Sequence, residues 1–136
     1  MKQKNYIHEG LLFLRVGIGI TMMLHGVPKL LGGPEQWTNI GTMGMGALGI
    51  TFAPAFWGLI AALSEALGGL LLILGKYVRL AAFFLFFTML AATLFHLSQG
   101  GGFKGSSHAI ELAVLFAALF IIGEPKHTLA GLLGRK

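Results

Sequence analysis

The sequence predicts an all-α integral membrane protein: a four-helix transmembrane bundle with a short interfacial helix between spans one and two. Three observations lead there. Of 136 residues, 55% are hydrophobic and only 11% charged, whereas ordinary soluble domains carry about 25% charged residues. The apolar residues, with a mean hydropathy of +0.79, fall in blocks close to the roughly 20 residues that a helix needs to cross a bilayer. The basic residues, finally, sort to one side of a four-span arrangement.

Span one runs from Gly10 to Leu31 and is broken by Gly33-Pro34. The preceding MKQKN imitates a secretory signal, but the apolar run contains Arg15, is too long, and is followed by no small-x-small cleavage site. It is read as a retained span. The next connection, Gly32 to Phe52, is not plain loop. Pro34 suits a first helical position and Glu35 the positive end of a helix dipole, so a short helix on the outer surface is expected, with Trp37 at headgroup level. Met43 and Met45 are read as packing residues rather than metal ligands. Span two covers Ala53 to Leu74, span three Leu80 to Leu97 and span four Ser107 to Ile122. A tight turn (Gly75 to Arg79) and a glycine-rich loop (Ser98 to Ser106) join them. From Glu124 the chain is a polar tail with a weakly amphipathic HTLAGLL. There is no internal repeat, and residues 1–136 form one domain.

Lys2, Lys4, Lys76, Arg79, Lys126, Arg135 and Lys136 fall on one side of this topology, Lys29 and Lys104 on the other. Seven against two places both termini in the cytoplasm. The formal charge of +5 is therefore an orientation signal and not a nucleic-acid footprint. With no cysteine, the chain offers no thiol for redox chemistry of its own.

Glu65 is the charge that span two must explain. It lies near the middle of an apolar run, where a carboxylate costs at least about 2.5 kcal/mol. Gly58, Ala62 and Ala66, with Ala61, Gly68 and Gly69 alongside, make its side of the helix small and fit for close packing. Span one carries Arg15, His25 and Lys29 on one side, His25 and Lys29 lying roughly 80° and 40° from Arg15. Gly19, Met22 and Gly26 share that strip. His25, His96, His108 and Glu111 fall within about two turns of the outer boundary. Three readings follow. Arg15 and Glu65 form a buried ion pair that holds spans one and two together; or His25, His96 and Glu111, with His108 or Glu65, converge on a metal; or the layer is a pocket that binds a quinone-type head group or relays protons. The FFLFF run at 83–87 has the residues of a ring-binding site, but it lies near the cytoplasmic end of span three, away from the histidines, and is assigned to lipid contact.

LRVGIGITMMLHGVPKLLGGPEQW, then ALGITFAPAFWGLIAALSEALGGLLLILGKYVRLAA, then the His96 span with its glycine-rich loop, resemble the DoxX family of small bacterial and archaeal membrane proteins. The likeness is strongest at Leu14-Arg15, His25-Gly26, Lys29-Leu30, and Glu65 with Gly68-Gly69 and Gly75. It departs after span four, where Gly123-Glu124-Pro125-Lys126-His127-Thr128 replaces a Gly-Pro-Gly-x-x-Ser-like close. The resemblance implies a redox-associated subunit in a cytoplasmic membrane, linked to quinone. The expected site is then catalytic His25, Glu65, His96 and Glu111, with Arg15, His25, Lys29 and His96 around a quinone and no assigned metal. The expected partners are the lipid bilayer and a redox subunit or further copies of the chain. A proton-coupled transporter using Glu65 and a non-catalytic scaffold are the competing expectations.

Overall fold

The computed structural model describes residues 6–134. Lys2, Lys4, Arg135 and Lys136, which entered the charge count, lie outside the described residues. Four long apolar helices are candidate membrane spans: α1 (Ile7–Leu31), α3 (Pro54–Leu74), α4 (Val78–Ser98) and α5 (Gly102–Ile122). The short α2 (Gly33–Gly46) lies between the first two, and α6 (Leu129–Leu133) sits in the tail. The expected fold is thus the observed one. The fourth long helix starts earlier than the glycines of 98–106 suggested. Ser106 hands its hydroxyl proton to the Gly102 carbonyl at 2.7 Å, a local bond that a first helical turn tolerates.

Neighbouring spans run antiparallel, α1 on α3, α3 on α4 and α4 on α5. The core between them is made by Met22, Leu72, Leu85 and Phe116, each almost fully buried. Small residues set the closest approaches. A methyl on Gly19 would stand 2.6 Å from the Gly69 carbonyl oxygen, and one on Gly69 2.6 Å from that of Gly19. One turn or two further on, Gly26 sits directly against the backbone of Glu65 and Ala66. These contacts fix the register of α1 on α3, because lipid supplies no hydrophobic drive for helices to associate and close packing must do so. The Glu65 side of α3 is the packed side, with Gly58, Ala62, Ser64, Ala66, Gly68 and Gly69 buried around it.

At one end of the bundle, the tail end, α3 stops at Gly75 (φ +70°), whose N–H closes on the Leu71 carbonyl at 2.9 Å. The C-terminal segment returns here, and the rings of His8 and His127 lie 5.0 Å apart. At the opposite end, α2 does not lie apart on the surface. It crosses the outer part of α3, Gly41 against the Pro54 carbonyl and Gly58 of α3 against that of Trp37, then reaches α4, where a methyl on Gly44 would stand 4.0 Å from that of Ala91. The Trp37 indole donates to the Lys29 carbonyl at 3.0 Å, filling one of the acceptors that the end of α1 leaves open.

Candidate functional site

The side chains of an α-helix lean toward its N-terminus. In α1 that direction is the tail end, and in the antiparallel α3 it is the α2 end. Lys29, three residues beyond Gly26, therefore leans inward along α1 while Glu65 leans outward along α3, and the two meet. The Lys29 ammonium donates to both carboxylate oxygens of Glu65, at 2.8 and 2.7 Å. The lysine side chain is 32% exposed and that of Glu65 3%.

The expected ion pair of Arg15 with Glu65 does not form. Arg15 leans the other way, to the tail end, and is 2% exposed. Its guanidinium donates to the Leu72 carbonyl at 3.3 Å and to the His127 carbonyl at 2.7 Å. It thus binds the last turn of α3, where helix carbonyls are unpaired and the dipole favours a cation, and ties the tail to it. Nε of Arg15 is buried without a hydrogen-bond partner.

The ion pair lines a side groove of about 590 Å³ between α2, α3 and α4. Its walls are Ile40, Met43, Gly44 and Met45 of α2, Trp57, Ile60, Ala61 and Ser64 of α3, and Phe83, Phe84, Phe87, Thr88, Ala91 and Phe95 of α4. Met43, Leu48, Phe84 and Phe87 on this groove are also exposed on the flank of the bundle, so it opens sideways. Ser64 and Thr88 spend their hydroxyl protons on their own helices, on Ile60 at 2.6 Å and Phe84 at 2.9 Å. Lys29 and Glu65 are the charged groups the groove presents.

The remaining sequence-expected residues lie elsewhere. His25, His96, His108 and Glu111 are all exposed. The His25 and His108 rings approach to 6.4 Å across α1 and α5, and His96 packs its ring 5.4 Å from that of Phe95. Among the described residues no three of His, Cys, Asp or Glu come together as a metal group. Of the residues picked from the sequence, Lys29 and Glu65 share the groove, while Arg15 lies at the far end of α1. Sequence reasoning gave the aromatic run to lipid over a ring-binding site, yet Phe83, Phe84 and Phe87 face the groove as well as the flank. The signal was the spacing of four from 83 to 87, which puts Phe83 and Phe87 on one face, rings 4.8 Å apart.

A family model described as DoxX matches residues 10–98, the stretch that holds α1 to α4 and the whole groove. The chain belongs to the DoxX family. An uncharacterised protein of Haemophilus influenzae is 36% identical over 113 residues, covering 82% of this DoxX chain and 78% of that protein. No solved structure matches. The matched region of this DoxX protein contains Arg15, Lys29 and Glu65, and excludes α5 with His108 and Glu111.

Proposed function

We propose that the groove binds a lipid-soluble, quinone-type molecule and that the protein is a membrane component of a quinone-linked oxidoreductase. One observation carries the reading: a side-opening apolar groove that presents a hydrogen-bonded lysine and glutamate. Ligand pockets are mostly apolar with a few placed polar groups, and this one sets Lys29 and Glu65 in a lining that is otherwise largely apolar and aromatic. Lys29 is the donor for a quinone carbonyl oxygen. Glu65 takes up or gives the proton that accompanies reduction, its charge held by Lys29 in the resting pair. Phe83, Phe84, Phe87 and Trp57 enclose the ring and the start of the tail. The electrons come from a partner redox subunit, since the chain has no thiol of its own. The lysine and arginine bias of the sequence orients the bundle with both ends in the cytoplasm of a bacterial or archaeal cell.

The test is purification in native lipid, followed by organic extraction and mass spectrometry, with quinone titration read by tryptophan emission. The reading expects co-purified quinone and saturable quenching that an Ala61→Phe variant, which fills the groove, abolishes. A protein that carries no quinone and shows no saturable quenching would overturn it. Proton-coupled flux in liposomes that vanishes in Glu65→Gln, with no quinone bound, would favour transport instead.

A further inference from the structure

Glu111 presents the problem that Glu65 solved, without the solution. It lies nine residues into the 21-residue α5, roughly 13 Å from that helix's first residue, yet its side chain is exposed on the flank of the bundle. No hydrogen bond or ion pair satisfies it among the described residues. A carboxylate left unpaired on the side of a candidate membrane span is costly.

The residues around it form a pattern. Lys104, Ser107, Glu111, Val114, Ala118 and Ile121 recur at alternating steps of three and four, the spacing of a coiled-coil seam. Val114 is 66% exposed and Ile121 76%; Lys104 and Ala118 are exposed as well. His108, a basic group, flanks the seam one turn from Glu111 toward the N-terminus of α5. An interface with two-fold symmetry must be complementary to itself, and this face carries both an acid and a base. When two such helices lie parallel, each Glu111 leans toward its helix N-terminus, to the level of His108 on the other copy.

We propose that a second copy of this chain docks along α5, each Glu111 paired with His108 of the other copy. Glu111, at the head of the apolar positions Val114, Ala118 and Ile121, sets the register of the seam, and the two Ala118 positions let the helices come close. The groove on α2, α3 and α4 stays open in such a dimer, so the inference does not depend on the quinone reading.

The absence of cysteine gives a clean experiment. Single cysteines are placed at Val114 and Ile121 in the seam, and at Leu24, which is 70% exposed on α1, as the off-face control. Mild oxidation in native membranes should give about tenfold more disulfide-linked dimer at Val114 and Ile121 than at Leu24, because a disulfide requires Cβ atoms about 4 Å apart. Adding Glu111→Lys, which sets two cations against each other, should remove the Val114 cross-link while leaving the chain folded by tryptophan emission. Equal cross-linking at Leu24, an adduct with a protein of another mass, or a cross-link unmoved by Glu111→Lys would each overturn the proposal.

Discussion

Lys29 and Glu65 meet because each leans toward the start of its own helix, and the helices run in opposite directions. The geometry makes the pair directional: Arg15, on the same strip of α1, leans away from Glu65 whatever its charge. Because Glu65 is almost wholly buried, removing its partner leaves a stranded carboxylate. Lys29→Met is expected to cost about 3 kcal/mol of stability, within the range for breaking one side of a buried pair. The double variant Lys29→Met, Glu65→Met should recover most of that loss, as denaturant unfolding in detergent micelles will show. Sequence reading identified both residues, and placed Glu65 on the packed side, but chose the wrong cation. Height counted at about 1.5 Å per residue puts Glu65 equally far from the Arg15 and His25 levels and does not choose between the cations. The lean of the side chains, together with Gly19 and Gly26 facing Gly69 and Ala66, decides the matter.

Among the elements, α2 is the one whose place was hardest to read. Its existence was legible from Pro34, Glu35 and the apolar side that follows. Its position was not, because the glycines 41, 44 and 46 look like breaks in a sequence, whereas Gly41 acts as a contact point in three dimensions. Gly41 and Gly58 bring two backbones together, so neither has room for a side chain. Gly58→Ala should force α2 off α3 and cost about 2 kcal/mol, typical of overpacking. It should also shift Trp37 emission to the red as its indole loses the Lys29 carbonyl, and steady-state fluorescence alongside thermal unfolding will read both. The aromatic wall was hidden for a similar reason. Lipid and an apolar groove ask for the same residues, and only the placement of α2 over α3 separates them.

For the molecule as a whole, the four spans and their order were written in hydropathy and turn residues. What closes the bundle was not. Arg15 joins the first span to the tail across 112 positions, and its acceptors are backbone carbonyls, which no side-chain pattern records. Arg15→Met leaves the Leu72 and His127 carbonyls without that donor. Hydrogen exchange in α6 should then quicken about tenfold, the effect of losing a charged hydrogen bond worth about 1.5 kcal/mol, while α3 and α4 exchange as before. Equal acceleration throughout would mean that Arg15 supports the bundle and not the tail.

The order in which these partners are made has a bearing on biosynthesis. The first helix carries two cations into the membrane, and both are answered by residues translated later: Lys29 by Glu65 after 36 further positions, Arg15 by Leu72 after 57 and by His127 after 112. At 5–20 residues per second, Lys29 waits roughly 2–7 s, and Arg15 roughly 3–11 s for its first acceptor and roughly 6–22 s for its second. During that interval α1 is a poor membrane segment by itself. It becomes a settled one only as the chain behind it arrives, so the nascent protein has reason to stay beside the insertion machinery until its last residues are out.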